Sequence, residues 1–303
     1  MQTQTVTPIP KKGLKVILWV LVAFYTFILP DAIIVYRHIV GFFGNDAAGK
    51  VPVLILVTVG IAYVITVLLS QKSLKNLLFL VPCGVIAFLI MKLVSNPNKH
   101  IHIPEYVLMA WLLFAVLSKD YKGKGIFILI FIYASMLGVV DELEQGINPA
   151  RFYGWSDMIV NSASALIGVF TIMGLKKGIA TDWTWTTRLK EFIILLWLSL
   201  FGFVGAVITC VVLFRVQASA DFWGVYPVWL WTWNILYLIT APVMIAFYRS
   251  ILQKNYPITE DKKVYVLTPE VKTARLWIFP LLVILFYMHA LVIVVSISGV
   301  KFI

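Results

Sequence analysis

The sequence predicts an all-α, polytopic transmembrane helical bundle of about nine spans, with the N-terminus inside and the C-terminus outside. Three observations carry that prediction. Hydrophobic residues fill 61% of the 303 positions and charged residues only 13%, where soluble chains run nearer half apolar and a quarter charged. Mean hydropathy is +0.94, and the apolar residues gather in runs of about twenty, each long enough to cross roughly 30 Å of hydrocarbon as a helix. The runs lack the alternating polarity of a membrane β-barrel. Finally, the basic residues segregate to alternate connections, as the positive-inside rule requires.

The spans follow in order. Span one, 14–36, comes after Lys11, Lys12 and Lys15, a flank like that of a signal peptide. No small-residue cleavage site follows and the run continues into Pro30-Asp31, so it reads as a retained helix. An outer loop to residue 50 leads to span two, 51–70, and an inner turn with Lys72 and Lys75 leads to span three, 76–95. Span four, 103–118, is short and carries Glu105. Span five, 125–145, closes on Asp141, Glu142 and Gln145, and span six is 155–175. Span seven is 191–214. Trp223, Tyr226, Trp229, Trp231 and Trp233 crowd the start of span eight, 226–248, as aromatic side chains do at the membrane interface. Segment 249–275 is the longest hydrophilic stretch, holds Pro257 and Pro269, and reads as a cytoplasmic loop with a docking role. Span nine is 276–298.

With the N-terminus inside, eighteen of the 25 Lys and Arg fall on inner segments and seven on outer ones. Every inner segment holds at least two. The net charge of +11 is then a topology signal, and no basic-aromatic stripe outside the spans suggests a nucleic-acid partner. Cys83 and Cys210 both sit in apolar runs and read as small core residues, not as a disulfide or a metal pair. His38 and His289 are isolated on separate spans, which is weak ground for haem ligation, and His100 reads as solvated. The two halves show no repeat of the kind found in inverted-repeat transporters. No metal or cofactor is expected: no motif such as H-E-x-x-H is present.

The informative polar residues lie at the outer ends of spans four, five and six. Lys99, His102, Glu105 and Tyr106 open span four; Asp141, Glu142 and Gln145 close span five; Arg151 lies in the short loop; Asp157 and Asn161 begin span six. Spacings of three and four place His102, Glu105 and Tyr106 on one helical face, and Asp141 with Gln145 on another. Asp157, Asn161, Ser164 and Gly168 form a small-polar stripe. Charges at membrane depth cost about 2.5–3.5 kcal/mol on insertion scales, so they turn inward and pair. Lys99, His102 and Arg151 are the bases available to do so.

The stretch Asn98-Lys99-His100-Ile101-His102-Ile103-Pro104-Glu105-Tyr106 resembles the D-K-x-x-H-f-x-x-Y segment of the VanZ-like membrane protein family. Residues 141–168 resemble that family's D-E-x-x-Q-x-x-x-P-G-R followed by D-x-x-x-N and a glycine, with Asp141, Glu142, Gln145, Pro149, Arg151, Asp157, Asn161 and Gly168 in register without a gap. Asn98 stands where the family has Asp, and Ala150 and Ser164 where it has Gly. The resemblance covers about residues 50–175. It implies a chain of three parts: a first helix and outer loop (1–50), a VanZ-like core (51–176), and a three-span extension (177–303). It also implies a bacterial plasma membrane and a role in the cell envelope, since the family is named for a protein associated with teicoplanin resistance.

Three functional expectations follow. Lys99, His102, Glu105, Tyr106, Asp141, Glu142, Gln145, Arg151, Asp157 and Asn161 form a site for the polar headgroup of an envelope lipid or glycopeptide-type ligand: Lys99, His102 and Arg151 take an anionic group, and the carboxylates take hydroxyls or an amine. Alternatively, the chain is an accessory subunit that meets other membrane subunits through residues 191–298. Alternatively, His102 and the carboxylates serve an intramembrane hydrolase or transferase by acid–base or metal chemistry, although no Ser or Cys nucleophile stands among them. Against all three stands a purely structural role, a polar lock between helices. The partners common to these readings are membrane lipids, with a lipid-linked envelope ligand in the first.

Overall fold

A computed structural model describes residues 12–71, 73–94, 96–121, 123–147, 154–176, 179–217, 227–255 and 268–298. The described residues are all-α, with eleven α-helices and nine segments long and apolar enough to cross a membrane. Those segments match the predicted spans to within a few residues at most ends. The helices are α1 (Lys12–Ile28), α2 (Ala32–Phe43), α3 (Asn45–Thr66), α4 (Leu80–Leu93), α5 (His102–Leu117), α6 (Gly125–Ile147), α7 (Trp155–Leu175), α8 (Ile193–Gln217), α9 (Val228–Asn255), α10 (Pro269–Leu276) and α11 (Phe279–Ser298).

Two connections differ from the sequence expectation. The predicted outer loop up to residue 50 is helical. Pro30, in the short turn Leu29–Asp31, ends α1; apolar residues resume at once as α2, and Gly44 in the left-handed region, φ +81°, separates α2 from α3. Such a φ suits glycine because no Cβ opposes it. The predicted cytoplasmic loop 249–275 also shortens from both ends. Helix α9 continues to Asn255, and α10 begins at Pro269. Thr268 supplies the N-cap, its hydroxyl accepting from Val271 N at 3.4 Å, and a proline in the first helical turn forgoes a bond that would be unmade anyway.

Helices α5, α6 and α7 form the centre. Two thirds of the membrane-crossing stretch of α6 is buried, against about a tenth of that of α3. Helix α5 packs most extensively on α7; α1 packs on α5 and α6, α4 on α7, and α11 joins α6 to α8 and α9. Close approach explains the α5–α7 pair. A Cβ on Gly168 would lie 2.6 Å from Ala110 Cβ and 3.1 Å from Val107 Cα, so glycine lets the two backbones meet, as small residues do between membrane helices. Trp111 Nε1 donates to Thr171 Oγ1 at 3.0 Å across the same seam. Cys83 and Cys210 are buried and form no disulfide.

The two ends of the bundle are chemically distinct. At one end, Lys15 pairs with Asp120, Trp277 Nε1 donates to Tyr121 Oη at 3.1 Å, Lys124 N donates to Ala180 O at 3.1 Å, and Trp185 stacks on Trp277 with centroids 5.1 Å apart. Burial pushes the Tyr121 hydroxyl up to about 12, which keeps it neutral. At the other end lie Lys99, His102, Asp141, Glu142 and Asp157. The segments gathered at each end are those that strict alternation of the spans assigns to one side.

Candidate functional site

Helix polarity organises the second end. Two helices start there and one finishes: His102 is the first residue of α5, Asp157 lies in the first turn of α7, and Asp141 to Gln145 occupy the C-terminal part of α6. Glu105 and Asp157 sit in first turns, where the helix dipole favours negative charge. Asp141 and Glu142 lie toward the opposite, unfavourable pole of α6 and depend on partners from α5 and α7.

Those partners are in place. Lys99, on the short helical turn Pro97–Ile101, reaches across to Asp157 with Nζ at 2.7 Å from Oδ1 and 2.8 Å from Oδ2. Tyr106 Oη donates to Asp141 Oδ2 at 3.1 Å. Gln145 Nε2 donates to Glu142 Oε1 at 3.2 Å, and the Gly154 N–H, at the N-cap of α7, donates to Glu142 Oε2 at 3.0 Å. A carboxylate at a helix N-terminus meets unpaired N–H groups and the positive dipole pole together. His102 Nδ1 lies 3.0 Å from Glu105 Oε2, an ion-pair contact off the direction of a good ring N–H hydrogen bond. Asn161 Nδ2 donates weakly to Gly138 O at 3.4 Å. Helix α1 closes the side: Tyr25 Oη donates to Glu105 O at 3.0 Å.

Nine of the ten residues singled out in the sequence therefore converge: Lys99, His102, Glu105, Tyr106, Asp141, Glu142, Gln145, Asp157 and Asn161. Arg151 lies outside the described residues. Asp141, Glu142 and Asn161 are fully buried, while the Lys99 side chain is one-third exposed. Among the described residues, Asp141 Oδ1 and Asn161 Oδ1 are buried without a hydrogen-bond partner of good geometry, with the Gln145 amide beside the Asp141 carboxylate. The carboxyl groups of the cluster number four among the described residues, against the bases Lys99 and His102, so acidic groups outnumber basic ones. One ligand atom each from His102, Glu142 and Asp157 lies within 4.8 Å of the others.

Sequence reasoning passed over three participants. Gly154 contributes through its backbone, which no side-chain pattern reports. Tyr25 comes from a helix remote in sequence. Glu144 turns the other way, with Oε1 accepting from Tyr287 Oη on α11 at 2.6 Å and Oε2 buried without a partner among the described residues; its signal was simply that of an ionisable residue at membrane depth. His100, expected to be solvated, is buried, with Nε2 2.9 Å from Val94 O, because the turn Pro97–Ile101 folds its ring back on the end of α4.

The fold and cluster together define a membrane-compatible helical bundle with one polar, acidic end-site. Comparison with protein-family models, with curated proteins and with solved structures found no match.

Proposed function

We propose that the chain is a multi-pass protein of a bacterial plasma membrane, VanZ-like over residues 51–176, with its N-terminus inside. On this reading the α5–α6–α7 cluster binds the polar headgroup of an envelope lipid or glycopeptide-type ligand at the outer face. The observation that carries the reading is the convergence of nine buried or half-buried polar side chains at one end of α5, α6 and α7, with Asp141 Oδ1 and Asn161 Oδ1 lacking a well-aligned donor among the described residues. A buried acceptor left unsatisfied costs about 1–3 kcal/mol, and a lock built only for stability gains nothing from two of them. A ligand carrying hydroxyl or ammonium donors would satisfy both and offset the acidic excess. Lys99, its side chain one-third exposed, supplies charge for an anionic group on the same headgroup, and Arg151 is the further base that the sequence offers.

A second reading, a metal-assisted hydrolase or transferase, draws on the His102, Glu142 and Asp157 triplet. Ligands about 2.0–2.2 Å from one zinc ion stand at most about 4.4 Å apart, and the three ligand atoms lie within 4.8 Å of one another. Asp157 already holds the Lys99 ammonium through both oxygens, and a metal there would face that cation.

The test is Asp141→Asn and His102→Gln in the full-length protein. Each should melt in detergent close to the unsubstituted protein, yet abolish a teicoplanin-susceptibility difference and the teicoplanin-induced thermal shift. Loss of stability in parallel with loss of response would return the cluster to a structural lock. A zinc-dependent thermal shift that Glu142→Gln removes would favour the metal reading.

A further inference from the structure

A second site lies at the opposite end of the bundle. Lys15 on α1 and Lys272 and Arg275 on α10 line a pocket of about 320 Å³ together with Asp120. Three bases face one carboxylate, and that carboxylate is paired with Lys15. Lys272 and Arg275 are three apart and share a face of α10, and the Arg275 guanidinium rests 5.0 Å from the Phe279 ring centroid.

The pocket does not end there. Trp19, Phe279 and Pro280 line it and also line an apolar groove of about 590 Å³ between α1, α6 and α11. The groove follows one stripe on each bounding helix: Lys15, Trp19, Val22 and Thr26 on α1, and Phe279, Val283 and Tyr287 on α11. Spacings of three and four keep each stripe on a single face. From Lys15 to Thr26 the helix rises roughly 17 Å at about 1.5 Å per residue, a little more than half of a roughly 30 Å hydrocarbon core. A basic pocket, an indole where pocket and groove meet, and an apolar channel one leaflet deep reproduce the profile of a phospholipid.

We infer that this is a binding site for an anionic glycerophospholipid, with the phosphate-bearing headgroup held by Lys272 and Arg275 and one acyl chain lying in the groove between α1 and α11. Charge complementarity selects the headgroup, because basic pockets between membrane helices hold anionic lipids. Groove depth selects a chain and excludes a free anion as the full occupant. The site is separate from the polar cluster, and its occupancy does not depend on that cluster's function.

Native mass spectrometry of the full-length protein in detergent tests it, using equimolar phosphatidylglycerol and phosphatidylcholine with identical acyl chains. The expected result is saturable retention of phosphatidylglycerol in preference to phosphatidylcholine. Each basic residue near the headgroup contributes roughly a fivefold preference for anionic lipid, so Lys272→Gln/Arg275→Gln should weaken phosphatidylglycerol binding by about 25-fold. Val283→Trp, which fills the groove, should weaken both lipids, and Lys75→Gln should change neither. Melting without lipid checks that each variant is folded; if the double variant is not, the exposed Lys272→Gln alone serves, with about a fivefold loss. Equal retention of the two lipids, or selectivity unchanged by the charge variants, overturns the inference. So does competition by inorganic phosphate combined with indifference to Val283→Trp, which would make the site an anion pocket alone.

Discussion

Breaking the Lys99–Asp157 pair should have an asymmetric cost that reads out the geometry of the site. In Lys99→Met the Asp157 carboxylate, with its side chain 9% exposed, keeps only the weak donation of Ser156 Oγ at 3.4 Å among its described side-chain donors. Removing one partner of a buried pair costs about 3–5 kcal/mol. Lys99 is itself one-third exposed, so water already reaches the pair, and about 2–3 kcal/mol is the expected loss. In Asp157→Asn the lysine head can turn to solvent while its stem stays packed, and the loss should be about 1 kcal/mol. The double variant Lys99→Met/Asp157→Asn should cost little more than Asp157→Asn alone, which gives a coupling of about 2 kcal/mol. Reversible unfolding of all four proteins in mixed detergent micelles measures the cycle. A larger loss for Asp157→Asn than for Lys99→Met, or a coupling within about 0.5 kcal/mol of zero, would refute the reasoning that a desolvated carboxylate on α7 depends on an accessible base beside α5.

Other expectations concern packing and topology. Gly168→Ala should destabilise by about 1–3 kcal/mol through overpacking against Ala110 and Val107, and Ala110→Gly in the same chain should restore much of it, as thermal unfolding will show. Tyr287→Phe removes the donor at 2.6 Å from Glu144 Oε1 and should cost about 1–3 kcal/mol, measured by the same melts; an unchanged melting temperature would mean that Glu144 finds another donor. A cysteine at Lys301 should react with a membrane-impermeant maleimide in intact cells, and one at Gln4 only after permeabilisation. The reverse pattern would invert the proposed topology.

The polar site was legible as a list and not as a geometry. His102, Glu105 and Tyr106 announce a common face by spacing alone, and they do share one; Asp141, Glu142 and Gln145 announce themselves as ionisable and amide groups where hydrocarbon is expected. Which base meets which acid could not be read. Lys99 takes Asp157 at a sequence separation of 58 residues, His102 takes Glu105 within its own helix, and Glu142 takes a backbone N–H. Pairing depends on how far each helix is rotated and how deeply it sits, and helix rotation is set by contacts such as Gly168 against Ala110.

The division has a physical cause. Whether a segment crosses hydrocarbon depends on its own apolar surface and the need to satisfy its backbone internally, both local properties, so the sequence by itself determined the all-α class and the nine spans. Local signals also govern breaks such as Leu29–Asp31 and Gly44, although they were too short to reveal α2 in what reads as a loop. In lipid, by contrast, the hydrophobic effect does not tell one apolar helix face from another. Only tertiary packing could therefore decide that α5, α6 and α7 are central, that α10 and α1 bring three bases to one pocket, and that Asp141 and Asn161 end buried together between those central helices.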